Sequence, residues 1–138
     1  MHLIKFSEED PDMQLVRLAK EEEGVGISAG AHFAGLKSAM LMQNHGFLAS
    51  VNGIVSLAQL YRIPLLMIIS YRGEMGETDP WQTEGGLRTE STLKALDIPY
   101  DIVDSPKSVE KKINKAAVLS ESSERPVALL ITRDLMVE

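Results

Sequence analysis

The sequence predicts an α/β fold in which a parallel sheet carries helices on both faces. Three observations lead there. Apolar residues come in short, nearly unbroken runs, the strongest being Pro64-Leu65-Leu66-Met67-Ile68-Ile69-Ser70-Tyr71. Unbroken runs mark strands buried on both faces, whereas one-sided strands alternate. Helix-length segments separate these runs, and strands alternating with helices imply parallel crossovers. A polar, glycine-bearing segment, residues 72–85, directly follows the strongest run. In open α/β sheets ligands bind beyond the carboxyl ends of the strands, so this loop is a functional candidate on geometry alone.

In order along the chain, strands are expected at residues 15–19, 38–43, 63–71, 98–103 and 126–132. Helices are expected at 21–34, rich in Gly and Ala, and at 51–61, with Ile54, Val55, Leu57, Ala58 and Leu60. Two more are expected at 86–96, with Leu87, Leu93 and Leu96, and at 106–120, with Val109, Ile113, Ala116, Ala117 and Leu119. The last has a marked start: Ser105 can cap it, and Pro106 suits the first helical position, where a missing N–H costs nothing. No repeat, low-complexity stretch or linker interrupts the chain, and residues 1–138 read as a single domain.

Composition narrows the function classes. The chain has 138 residues, 44% apolar and 25% charged, and a formal net charge of −6. Acids spread along its length argue against a nucleic-acid binder, which needs a basic face to neutralise phosphates. A small anionic substrate remains compatible, because one local Arg can dominate a pocket. With no Cys in the chain, disulfides, thiolate catalysis and Cys-held metals are excluded. The start, Met1-His2-Leu3-Ile4-Lys5-Phe6, is too short and too soon acidic for a secretory signal. No apolar run reaches the roughly 18–20 residues of a membrane span. A cytoplasmic location is the expectation.

Several constellations invite chemistry. Gly24-x-Gly26-x-x-x-Gly30 follows a strand candidate and opens a helix, as in dinucleotide sites. Glu21, Glu22 and Glu23 would repel a pyrophosphate there, and Gln43 and Asn44 stand where a ribose-binding acid is needed. Small residues that let the helix approach its neighbours are the better reading. The acids also suit a helix N-terminus, by about 0.3–1 kcal/mol each; spacing alone does not say which of them points into a cleft. Asn44-His45-Gly46 ends a strand, at the edge where sites are built. His32 reads as a packed or capped helix residue, and His2, His32 and His45 lack metal-ligand spacing, so no metal is expected on them. Ser56, Ser70 and Ser91 have no nucleophile-elbow context.

An ordered set of motifs carries a resemblance. It comprises Glu21-Glu22-Glu23-Gly24-Val25-Gly26-Ile27-Ser28-Ala29-Gly30, with the last Gly nine residues after Glu21, and Leu41-Met42-Gln43-Asn44-His45-Gly46. It continues with Asn52-Gly53-Ile54-Val55-Ser56-Leu57, Ile63-Pro64-Leu65-Leu66, Ile69-Ser70-Tyr71-Arg72-Gly73-Glu74, Gln82-Thr83 and Ala95-Leu96-Asp97-Ile98-Pro99-Tyr100. Together, over about residues 8–135, these resemble the pyrimidine-binding (PYR-type) domain of thiamine-diphosphate-dependent decarboxylases, in the sulfopyruvate and phosphonopyruvate branch.

The resemblance implies a thiamine-diphosphate-binding fold and a catalytic role for Glu21. In that family a Glu at this place bonds a ring nitrogen of the cofactor's aminopyrimidine, and the cofactor serves as electron sink for loss of CO2 from a 2-oxoacid. Glu21, Asn44 and Gly46 are then the cofactor-binding residues, and His45, Arg72 and Gln82 the substrate-binding ones. Arg72 suits a sulfonate or carboxylate through several hydrogen bonds; the plain alternative is an arginine paired with Glu74. Gln82 resembles a loop residue of the family. The expected reaction converts 3-sulfopyruvate to sulfoacetaldehyde and CO2, with phosphonopyruvate or another 2-oxoacid as alternative substrates. A non-catalytic interaction module is the rival of another class.

Two departures shape the expected assembly. The Gly-Asp-Gly…Asn signature that holds Mg2+ and the diphosphate in this family does not occur in the chain. A β subunit is therefore expected to supply it, with the metal on that partner and the site shared in a hetero-oligomer. The match also begins late: the family's first strand is expected to be missing, with Leu3-Ile4-Lys5-Phe6 as the tail of the helix after it. Such a loss would leave an open sheet edge or a gap.

Overall fold

A computed structural model describes residues 2–136, with the side chains of 2 and 3 outside the description. Four strands form one parallel sheet: β1 (Ala39–Gln43), β2 (Leu65–Ser70), β3 (Tyr100–Val103) and β4 (Pro126–Ile131), in the order β1-β2-β4-β3. The helices are α1 (His2–Glu9), α2 (Glu21–Phe33), α3 (Asn44–Ala49), α4 (Val51–Gly53), α5 (Pro80–Ala95), α6 (Val109–Ser123) and α7 (Arg133–Met136). After α4 the chain runs on as a π-helix over Ile54–Gln59, and a 3-10 turn, Pro106–Ser108, precedes α6.

Strand order and helix placement are linked. From β1 to β2 and on to β3 the chain advances across the sheet, and from β3 it steps back to β4. Right-handed crossovers then put α5 and α6 on opposite faces. The two cores follow the pleat. Leu65, Met67 and Ile69 of β2 join Ala128 and Leu130 of β4 in a cluster with Val25 of α2, Phe47 of α3, Ile54 and Leu93 of α5. Leu66, Val127 and Leu129 face the other way, onto Val103 and Ala116, the latter in α6. The expectation of a parallel sheet with helices on both faces holds for β2 and β4. At the edge, β1 is covered on one face only: Met40 and Met42 are buried, whereas Ala39, Leu41 and Gln43 are exposed.

Three sequence-based boundaries need correction. The strand expected at 15–19 does not form: residues 14–18 have no regular structure, and Val16 and Leu18 stay exposed. A strand is held by ladder bonds to a neighbour, and β1, at the sheet edge, pairs only with β2. The helix expected from residue 86 begins at Pro80, so residues 80–85 of the supposed loop are helix. Ser105 does not cap α6 through its side chain; its carbonyl instead accepts from Ser108 Oγ at 2.9 Å, inside the 3-10 turn. Helix α1 includes residues 3–6 and runs on to Glu9.

Among the described residues no helix is long and apolar enough to cross a membrane.

Candidate active site

Parallel strands send all their carboxyl ends to one rim, and the helices packed antiparallel to them bring their N-termini there. The ends of β1 and β2 and the starts of α2, α3 and α5 accordingly converge, and most of the residues singled out in the sequence lie among them.

The three acids that open α2 have separate fates. Glu23 caps its own helix, its carboxylate accepting from the backbone N–H of Ala19 and Lys20 at 3.2 and 3.4 Å. Glu22 is exposed. Glu21 is half-buried and folds over the backbone of Gly46 on α3. A methyl group on Gly46 would sit 2.5 Å from Glu21 Cγ and 2.7 Å from Cδ and Oε1. Glycine is needed here for the close approach, not for its backbone freedom, because Gly46 has no positive φ. The Glu21 carboxylate forms no hydrogen bond or ion pair among the described residues. That separates it from the other acids at this rim whose carboxylates are engaged: Glu23, Glu77 and Asp79.

Asn44-His45-Gly46 opens helix α3 directly after β1, rather than forming the strand's own end. Asn44 is fully buried. Its amide Nδ2 donates to the Arg72 carbonyl at 2.6 Å, and its Oδ1 accepts from the Arg72 N–H at 3.4 Å. Asn44 thus ties the end of β1 to the end of β2. His45 is exposed and makes no hydrogen bond among the described residues. Its ring lies against α5, where a methyl on Gly85 would meet Cε1 at 2.7 Å and Nε2 at 2.9 Å. His32 is exposed rather than packed, its ring 5.7 Å from that of Phe33.

Arg72 pairs with Glu77 and Asp79, not with Glu74. Nε and Nη2 donate to the two oxygens of Glu77 at 2.7 and 2.8 Å, and Nη2 also reaches Asp79 Oδ2 at 2.9 Å. The hydrogen bonds from Arg72 hold the Glu77 carboxyl well below the usual carboxylate range, against the opposing effect of its desolvation. The same contact raises the guanidinium above its ordinary value. Gln82 lies in the first turn of α5, not in a loop. Its side-chain Oε1 is buried without a hydrogen-bond partner, so this amide has an unused acceptor close to the rim.

Beyond the rim, Glu90 of α5 accepts from the phenols of Tyr71, at 2.9 Å, and Tyr100, at 2.6 Å. Those bonds, Tyr100 first, hold Glu90 below the ordinary carboxylate value. Burial, then the bond to Glu90, pushes the Tyr71 phenol above its own. Among the described residues no group of three or more His, Cys, Asp or Glu side chains is arranged to hold a metal ion.

The sequence reading missed Gly85, Gly86, Gly73 and Glu77. Gly73 has φ +90°, and a Cβ there would lie 2.5 Å from the Gln82 carbonyl and 2.8 Å from Gly86 Cα. A Cβ on Gly86 would overlap the Arg72 carbonyl oxygen. The β2 exit therefore crosses α5 on a two-glycine notch. A Gly-Gly pair inside a helix is costly enough, at about 1 kcal/mol per residue, to have signalled a packing role.

Comparison with known proteins adds the following. No family model matches the chain. It is 40% identical over 129 residues to the sulfopyruvate decarboxylase subunit alpha of Methanococcus maripaludis, a match covering 94% of this chain and 77% of that one. The corresponding subunit of Methanothermobacter thermautotrophicus is 39% identical over 129 residues, 78% of its length. A phosphonopyruvate decarboxylase of Streptomyces viridochromogenes is 30% identical over 95 residues, 68% of this chain and 24% of that protein.

Proposed function

The chain belongs to the family of sulfopyruvate decarboxylase alpha subunits, and from that premise we propose that it is the pyrimidine-facing half of a two-chain decarboxylase dependent on thiamine diphosphate. Its reaction is loss of CO2 from a 2-oxoacid, with 3-sulfopyruvate as the substrate and sulfoacetaldehyde as the product. Phosphonopyruvate is the nearest alternative substrate.

The observation that carries this reading is the Glu21 carboxylate. It is half-buried at a helix N-terminus, seated on Gly46, and has no partner of its own among the described residues. Such a group suits a ring nitrogen of an aminopyrimidine, to which it can present or accept one proton in a short, charge-assisted hydrogen bond. Bound thiamine diphosphate would supply the electron sink for decarboxylation. This chain's part is to hold and move the proton at Glu21 Oε1 or Oε2, with Asn44 and Gly46 fixing the floor beneath it. His45, exposed and without a hydrogen bond to any described residue, is the group left to meet substrate; Gln82, whose Oε1 is buried, can do so only by turning its amide outward. Arg72 can serve the substrate's anionic tail only by exchanging the carboxylates that already hold it.

The acids at this rim disfavour a diphosphate beside them. Diphosphate and Mg2+ are therefore assigned to the partner subunit, and the site to the interface between the two chains. The test is CO2 release from sulfopyruvate by this chain mixed with its partner, in thiamine diphosphate and Mg2+. Turnover should require both chains and fall at least a hundredfold in Glu21→Gln. Unchanged turnover in that variant would remove Glu21 from the chemistry.

A further inference from the structure

Glu77 lies in a polar loop, yet its side chain is only 3% exposed. It is the point to which that loop is tied. Oε2 accepts from Arg72 Nε and, at 3.2 Å, from the Gly73 N–H. Oε1 accepts from Arg72 Nη2 and from the N–H groups of Thr78 and Asp79 at 3.0 and 3.1 Å. Arg133 of α7 stands 3.7 Å from Oε1. Two guanidiniums facing Glu77 and Asp79 leave this group of side chains with no net positive charge, an environment that offers little to an incoming sulfonate.

The backbone of Arg72 does a different job from its side chain. Its peptide is held by buried Asn44 on one side and rests on Gly86 on the other. Asn44 is followed by His45, whose ring lies on Gly85, and by Gly46, on which Glu21 sits. Locking Arg72 therefore fixes the relation of β1, β2 and α5 at the rim, and with it the separation of His45 from Glu21.

We propose that Glu77 is a positioning residue: by clamping Arg72 it sets the geometry of Glu21 and His45, and Arg72 acts through the loop instead of gripping the substrate's anionic tail. The proposal rests on the decarboxylase reading. It departs from the expectation that Arg72 binds the anion, and the two make opposite statements about one variant.

Steady-state kinetics on sulfopyruvate separate them, using the two-chain enzyme with Glu77→Gln, Arg72→Lys and the double variant. Positioning predicts that each single variant lowers kcat by about ten- to a hundredfold, as small misplacements do, with KM within about threefold. The double variant should be no slower than the worse single, because both break one clamp. If instead Arg72 grips the tail, Arg72→Lys raises KM tenfold or more at nearly constant kcat. Glu77→Gln, which frees the guanidinium, would then lower KM; either result overturns the proposal.

Amide hydrogen exchange of this chain gives a readout that does not depend on turnover. Glu77→Gln should speed exchange at Gly73, Thr78 and Asp79 by tenfold or more, and unchanged protection there also overturns the proposal. Should the wild-type pair release no CO2, the functional reading fails while exchange still decides the clamp. Arg72→Lys, which keeps a charge and a donor, takes the place of Glu77→Gln in both measurements if the latter does not fold.

Discussion

Replacing Gly46 with Ala separates the site from the fold, and the expected effects differ in sign. The new methyl would lie 2.5 Å from Glu21 Cγ and 2.7 Å from its carboxyl carbon. The backbone accepts alanine, since Gly46 has no positive φ and sits in α3. Helix propensity favours the change by about 0.8–1 kcal/mol. Against this, Glu21 must move to clear the methyl, and because the clash is with a flexible side chain the cost is at the low end of the about 1–3 kcal/mol typical of overpacking. The two nearly cancel, so Tm should move by no more than about 4 °C for a domain of this size. Activity should not survive so well. Swinging the carboxylate off its seat removes a positioned proton-transfer group, a loss of about 10²–10⁴-fold in kcat. The assay is CO2 release by the reconstituted pair, with Tm of the isolated chain beside it. Adding Gly46→Ala to Glu21→Gln should change nothing further, because the carboxylate is already gone. A Gly46→Ala enzyme with kcat within threefold of wild type, at unchanged Tm, would refute the argument that Glu21 acts from this position.

Two further substitutions probe the frame of the site. Gly86→Ala should destabilise by about 1–3 kcal/mol although it raises helix propensity, because the added methyl overlaps the Arg72 carbonyl oxygen between two backbones that have no room to part; a gain in Tm would show that the notch is not close-packed. Glu90→Gln should cost stability in a pH-dependent way. Bonds from Tyr100 and Tyr71 lower the Glu90 pKa from its usual 4.5. Below that value the unfolded chain binds the proton first, so the stabilisation is fully present above pH 4.5 and drains away as pH falls through the folded pKa. The Tm difference between wild type and Glu90→Gln should thus be largest near pH 7 and shrink toward pH 3, and a constant difference would assign the effect to packing.

Most of the sheet was legible because two-sided burial leaves an unbroken apolar run, and β2 and β4 have it. The run at 15–19, Leu-Val-Arg-Leu-Ala, is short and broken by Arg17, a weaker signal than the other two, but its apolar residues alone do not say whether a partner strand exists. A strand is a statement about a neighbour, and local composition does not contain the neighbour. The start of α5 was legible in principle. Asp79-Pro80 is the same kind of signal as Ser105-Pro106, but the polarity of residues 72–79 was carried past it. Asp79 in fact spends its carboxylate on Arg72 rather than on a cap, so the cap reading would have been right about the boundary for the wrong reason.

The glycines show why the site itself was only half readable. In Gly24-x-Gly26-x-x-x-Gly30 the spacing draws the eye, yet only Gly24 makes a close approach, its Cβ position lying 2.6 Å from Met40 Cε. Gly26 and Gly30 have nothing within 4 Å, so close packing of this helix explains one of the three. Gly46, Gly73, Gly85 and Gly86 form no pattern along the chain, and they are where backbone or functional side chains come into contact. Their common cause is tertiary: three chain segments meet at one rim, and each meeting point has to lose a Cβ. Sequence spacing reports contacts within an element, such as Glu23 with its own helix start. It reports contacts between elements only when a resemblance supplies the map. Glu21 could be picked from its neighbours in this way, and the structure supplies the physical distinction: of three adjacent acids, Glu23 is spent on capping, Glu22 faces water, and Glu21 is seated on a glycine with its carboxylate free.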